Sequence, residues 1–281
     1  MISYFAAIGY SGWMINRMFI LALTLVALSV GAAVAQTQEE VVSAEVLPGW
    51  QMENGHRMAG LSLILAPDWK TYWRAPGSAG IPPQFDWSGS QNVRSVALHW
   101  PSPQVISLNG MQSIGYLDQL VLPLEVVARD PSKPVDLRLQ LALGICKDIC
   151  MPAALSLTGT LIGPGAKDAL ITTALNNRPK TAAEVGLTAI TCALSPIADG
   201  MRLDARIGLP RQGSPETVVF ETADATIWVA EATATRDGPT LTAATDLVPQ
   251  TAAPFTLDRS AITVTVIGQS HSVEIKGCPA P

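Results

Sequence analysis

The strongest constraint on this chain is the rhythm of its middle. Short stretches alternate apolar and polar residues, and proline or glycine ends each one before it can lengthen. Val135-Asp136-Leu137-Arg138-Leu139-Gln140-Leu141 is the clearest case. Period-two alternation places apolar side chains on one face of an extended strand and polar ones on the other, a pattern that a helix would scatter. Related runs occupy residues 60–65, 93–100 and 120–127. Between the runs stand Ala66-Pro67-Asp68, Ala75-Pro76-Gly77, Ile81-Pro82-Pro83, Pro101-Ser102-Pro103 and Asp130-Pro131-Ser132. All are turn chemistry. Strands at this spacing predict an antiparallel β-sandwich over residues 36–162.

Residues 163–185 read differently. Ala166, Leu170, Ile171, Ala174 and Leu175 recur at helical spacing, and Asn176-Asn177-Arg178-Pro179 stops them, which predicts a short helical linker. Runs rich in Thr and Val then return at residues 201–207, 217–220, 226–230 and 262–267, so residues 186–281 are expected to form a second, smaller sandwich. Of the seven tryptophans, five lie between Trp50 and Trp100, which gives the first domain the richer aromatic core. The expected class is therefore all-β, two sandwich domains joined by a helical linker.

The N-terminus carries an export signal. Arg17 precedes the apolar run Met18–Ala35, which ends in Ala33-Val34-Ala35. A positive residue, an apolar stretch and a small-x-small site are the parts of a cleaved secretory signal peptide, here residues 1–35. The run is slightly short for a membrane span of about 20 residues. Cleavage leaves 17 basic against 23 acidic residues, since only Arg17 is lost. Such an acidic chain has no field to hold nucleic acid. An exported chain meets an oxidising compartment, the periplasm, where four cysteines read as disulfides.

The cysteines carry the chemistry. Cys146 and Cys150 enclose only Lys147-Asp148-Ile149, whereas Cys192 and Cys278 are far apart. Near-with-near and far-with-far is the expected pairing, although four cysteines allow three. An extended strand would hold residues 146 and 150 about 13 Å apart, and a disulfide needs about 4.4–6.8 Å between Cα atoms. The chain must therefore reverse there, in a hairpin fed by the strand ending at Leu143. In the loop-entropy model the short bridge contributes about 2 kcal/mol and the long one about 4.6 kcal/mol. The first is a weak staple suited to exchange, and the second suits a structural role. Two other readings of Cys146/Cys150 stay open: a plain hairpin staple, or a Cu(I) site with Met151.

The first domain resembles the N-terminal domain family of the transmembrane reductase DsbD, and more closely the two-domain periplasmic part of ScsB-type thiol:disulfide interchange proteins. The resemblance rests on Asp68-Trp69-Lys70-Thr71-Tyr72-Trp73-Arg74-Ala75-Pro76-Gly77 and Ile81-Pro82-Pro83-Gln84-Phe85-Asp86-Trp87. Gly115-Tyr116-Leu117-Asp118-Gln119-Leu120-Val121-Leu122-Pro123 and Gly144-Ile145-Cys146-Lys147-Asp148-Ile149-Cys150-Met151-Pro152 complete it. It implies immunoglobulin-like sandwiches and electron transfer by thiol–disulfide exchange at Cys146 and Cys150, with no cofactor. It implies a thioredoxin-like electron donor, and acceptors that are periplasmic disulfide isomerases or thioredoxin-like proteins of cytochrome c maturation or copper tolerance. It also implies a cap loop shielding the pair. The equivalent stretch, residues 106–111, offers no Phe or Tyr, so Leu108 or Met111, supported by Tyr116, would have to serve. Cys192 and Cys278 are expected to hold the second domain closed.

Remaining candidates are bland. Gly163-Pro164-Gly165-Ala166-Lys167 lacks the spacing of a phosphate loop, and reads as a linker turn. His56, His99 and His271 form no metal or triad spacing.

Overall fold

The alternation seen in the sequence builds two β-sandwiches, antiparallel except where the short strand Lys180–Thr181 pairs in parallel with Ser272–Lys276 in the second. The computed structural model describes residues 37–78, 80–108, 110–251, 255–269 and 271–281; the expected signal peptide lies outside them. The first sandwich contains β1 (Val42–Gln51), β2 (Arg57–Leu65), β3 (Lys70–Tyr72), β4 (Gln84–Asp86) and β5 (Val93–Leu98). It continues with β6 (Gln104–Leu108), β7 (Met111–Leu117), β8 (Gln119–Ala128), β9 (Val135–Cys146) and β10 (Cys150–Leu161). One sheet has the order β1-β2-β8-β5, and the other β10-β9-β3-β7-β6, with β4 also paired to β9. Their inner faces enclose one core that includes Leu61, Trp73, Leu122, Leu124, Leu139 and Ile145. Pro152 disrupts nothing, because β10 is an edge strand and can spare an N–H.

β9 shows where the pattern changes. Val135, Leu137, Leu139, Leu141 and Leu143 are buried, while Arg138, Gln140 and Ala142 between them are exposed. From Leu143 to Cys146 every residue is buried. The inner face stays in the core, so Gly144 and Cys146, on the outer face, must be covered by something else.

Helix Ala169–Asn176 follows. The Asp168 carboxylate caps it, accepting from the N–H groups of Leu170 (2.8 Å) and Ile171 (3.1 Å). Its buried Ile171 packs over Gly60 of β2, where a Cβ would come within 2.8 Å of Ile171 Cγ1. The linking helix is thereby docked on the first sandwich.

The second sandwich contains β11 (Lys180–Thr181), β12 (Ala189–Ile197), β13 (Gly200–Gly208), β14 (Thr217–Glu221) and β15 (Ile227–Val229). β16 (Thr233–Asp237), β17 (Thr240–Pro249), β18 (Thr263–Ile267) and β19 (Ser272–Lys276) complete it. Its sheets run β11-β19-β18-β14 and β12-β13-β17-β15, with β16 also on β17. Leu203, Ile207, Phe220, Leu241, Val264 and Val273 are among the residues of its own core.

One side chain ties the sandwiches together. Arg74, just beyond β3, donates from Nε to Glu221 Oε1 (2.8 Å) and from Nη2 to Glu221 Oε2 (2.9 Å) and Glu274 Oε2 (2.5 Å). Its guanidinium stacks on Trp73, 4.6 Å from the ring centroid. Burial opposes the charge of Arg74, but the hydrogen bonds and charges of Glu221 and Glu274 outweigh it and hold the guanidinium above its ordinary pKa.

Candidate redox-active disulfide

Cys146 ends β9 and Cys150 begins β10, joined by Lys147-Asp148-Ile149. The hairpin sets the two residues directly opposite each other. Their Cα atoms are 4.1 Å apart and the sulfurs are bonded. Lys147 N–H donates to Ile149 O (3.1 Å) and closes the turn. Lys147 Nζ reaches Asp68 Oδ2 (3.0 Å) and Pro67 O (3.3 Å), which anchors the hairpin tip to the turn before β3. Cys192 and Cys278 form the second bridge, buried in the second core.

The two sulfurs at the hairpin differ in access. Cys146 is fully buried and Cys150 is exposed. What covers Cys146 is Tyr72. β3 lies beside β9, with Lys70 opposite Cys146 and Thr71 opposite Ile145. Alternation then places Lys70 and Tyr72 on the same outer face as Cys146. Tyr72 Oη lies 2.9 Å from Cys146 Sγ and 3.3 Å from Cys150 Sγ. With both sulfurs in a disulfide, the hydroxyl is the donor. Burial raises the Tyr72 pKa, so the phenol keeps its proton and remains a donor at neutral pH.

The ring needs room, and glycine provides it. A Cβ on Gly144 would stand 2.9 Å from Tyr72 Cε2 and 3.0 Å from Ile81 Cβ. A Cβ on Gly80 would likewise stand 2.9 Å from Tyr72 Cδ1. The ring is therefore packed against two glycines, Gly144 and Gly80.

Residues 38–161 match the family model described as thiol:disulfide interchange protein DsbD, N-terminal. These residues form a DsbD N-terminal domain. The crystal structure of the N-terminal periplasmic domain of ScsB from Proteus mirabilis shares the fold, with a TM-score of 0.66. The two are 21% identical, over 88% of this chain and 96% of that one. That alignment extends well beyond the DsbD N-terminal domain into the second sandwich. A search of curated proteins found no match.

The cap residues expected for this DsbD N-terminal domain lie elsewhere. Leu108 and Met111 face each other at the tip of the β6–β7 hairpin. The β7 residue level with Lys70, and so with Cys146, is Leu117. Met111 is six residues further along β7, about 20 Å in an extended strand, and is 61% exposed. Tyr116 is buried on the inner face, opposite Thr71. It stacks on Trp100 and donates its hydroxyl to Pro101 O (2.8 Å). Gly80 lies against Tyr72, and Ile81 lies against Gly144. Met151, the residue considered as a soft third metal ligand, packs against the first core. Among the described residues no group of three or more His, Cys, Asp or Glu is arranged to hold a metal ion.

Tyr72 was not singled out from the sequence. Its signal was the step of two from Lys70, which fixes their common face. The histidines are less scattered than they read. His56 Nδ1 and His99 Nε2 sit on opposite oxygens of Glu125, at 2.6 and 2.9 Å. The hydrogen bond to His56 leads, and with His99 it holds the Glu125 pKa below its ordinary value.

Proposed function

We propose that this chain is an exported, periplasmic thiol–disulfide exchange protein that relays reducing equivalents from a thioredoxin-like donor to periplasmic disulfide proteins. The observation that carries the reading is the unequal access of the two sulfurs beneath one phenol. A donor thiolate can reach only Cys150. It attacks Cys150 Sγ, a new intermolecular S–S bond forms, and the Cys146–Cys150 bond breaks. The electron pair goes to Cys146 Sγ, where Tyr72 already points a hydroxyl that can donate to the thiolate. The donor's second thiolate then attacks its own bridging sulfur and expels the Cys150 thiolate. The donor leaves as a disulfide, its two thiol protons balance the two thiols formed here, and two electrons have moved. In the reverse sense Cys150 attacks an acceptor disulfide and Cys146 resolves the intermediate.

The test is trapping. The Cys146→Ser variant keeps the reachable thiol and is expected to accumulate a mixed disulfide with an oxidised thioredoxin-like protein. The Cys150→Ser variant keeps only the buried thiol and is expected to trap little. Equal trapping by both, or by neither, would overturn the proposal.

A further inference from the structure

Lys70 is a buried cation with no anion. It is 8% exposed, and none of the ion pairs among the described residues includes it. Its ammonium donates to Ser113 Oγ (2.9 Å) and lies 5.8 Å from the centroid of the Tyr72 ring. Both partners are neutral. Burying an ammonium against a hydroxyl and an aromatic face compensates its lost hydration only in part, and burial accordingly pushes its pKa down. Lysine side chains usually snorkel to water or find a carboxylate. This one does neither, so the site holds a positive charge whose counter-charge is missing in the oxidised state.

Reduction creates that counter-charge next door. Lys70 is the cross-strand partner of Cys146, and directly opposed residues share a face with Cβ atoms about 4.5–5.5 Å apart. Tyr72 stands on that face too, with the ammonium near its ring and its hydroxyl on Cys146 Sγ. When the bond to Cys150 breaks, the departing electron pair places a negative charge on Cys146 Sγ within this pocket. An opposite charge nearby favours the ionised thiol, and a thiolate of lower pKa leaves faster.

We propose that Lys70 is a positioning residue of the exchange reaction, acting through Tyr72 to stabilise the Cys146 thiolate and so to make the Cys146–Cys150 disulfide a readier electron acceptor. The inference rests on the exchange reading above and adds the residue that sets its poise. The oxidised state offers Lys70 no anion; the reduced state sets one on the same face, across Tyr72. The charge therefore shifts the equilibrium as well as the rate.

The experiment is a titration of the Cys146/Cys150 couple against glutathione across pH, in the mature chain and in Lys70→Met and Lys70→Arg variants. Removing the charge is expected to lower the equilibrium constant for reduction about tenfold, which corresponds to about 30 mV more negative. It is also expected to move ionisation of the reduced pair to higher pH. Lys70→Arg keeps the charge and is expected to stay near the parent. A folded Lys70→Met protein that titrates like the parent at every pH overturns the inference. Should that variant fail to fold, Ser113→Ala is read instead. It removes the hydroxyl that shares the ammonium, and is expected to shift the equilibrium toward the reduced form; no shift overturns the inference. A parent pair that accepts no electrons from glutathione or dithiothreitol overturns the exchange reading as well. A pair that turns over but ignores Lys70 overturns this inference alone.

Discussion

Cys146 and Cys150 face each other across one hairpin, yet the first is fully buried and the second is exposed. The edge position of β10 leaves Cys150 open, whereas Cys146 lies under Tyr72. Its ring lies over the outer face of β9 at Gly144, and its hydroxyl meets both sulfurs. A symmetric staple has no use for such a donor, whereas a leaving thiolate does.

Tyr72→Phe should therefore slow exchange without unfolding the domain. A hydrogen bond to a charged acceptor contributes about 1.5–3 kcal/mol, so the rate with dithiothreitol should fall roughly 10- to 100-fold by the tenfold-per-1.36 kcal/mol rule. Stopped-flow alkylation or fluorescence measures it. An unchanged rate in a folded variant would remove Tyr72 from the reaction.

Gly144→Ala tests the packing under that ring. The new methyl would need space now held by Tyr72 Cε2 at 2.9 Å and Ile81 Cβ at 3.0 Å. Overpacking of this kind costs about 1–3 kcal/mol. Denaturant melts should show that loss, and the Cys146 thiol should become easier to alkylate as the ring is displaced. A variant with parental stability and parental thiol access would show that the ring moves freely.

The fold was largely legible because its determinants are local. The alternation of Val135–Leu141 predicts one buried face, and β9 buries it. The three-residue spacer between Cys146 and Cys150 demands a reversal, and β9 turns into β10 there. The cap was not legible, because it depends on which residue of β7 stands level with Lys70. Nothing in residues 106–117 encodes that level; the pairing of β3 with β7 fixes it. Lys70 and Tyr72 meet partners 43 and 74 positions away, and Arg74 meets partners 147 and 200 positions away. Distances in sequence of that size leave no periodic trace. His56, Glu125 and His99 come together for the same reason, from just before β2, from β8 and from just after β5.

The second bridge should behave in the opposite way to the first. Cys192 and Cys278 are 86 positions apart and fully buried in the second core. Replacing both with Ala should cost about 4–5 kcal/mol in the loop-entropy model. The Cys146/Cys150 couple sits on the other sandwich, at the β9–β10 hairpin, and should exchange at the parental rate. Thermal melting and a dithiothreitol assay on the same variant separate the two effects. Loss of exchange in a folded Cys192→Ala/Cys278→Ala protein would show that the bridges are coupled.

The junction between the sandwiches should weaken in acid. Burial raises the Glu274 pKa, but the hydrogen bond and charge of Arg74, helped by Lys276, outweigh it, so the folded value lies below the ordinary 4.5. A carboxylate depressed in the folded state contributes stability that is fully present above its unfolded value. That stability is lost as pH falls from about 4.5 through the lower folded value. Melting temperature measured from pH 7 downward should therefore drop across this window in the parent protein. Glu274→Gln removes the titrating group and should be less stable at pH 7, with a shallower drop in acid. Arg74→Met should be worse than either, because it strands Glu221 and Glu274 together in a half-buried site. Removing one partner of a fully buried pair costs about 3–5 kcal/mol, and partial exposure here should reduce that to about 2 kcal/mol. An Arg74→Met protein as stable as the parent, with the same acid profile, would show that the guanidinium does not hold the two sandwiches together.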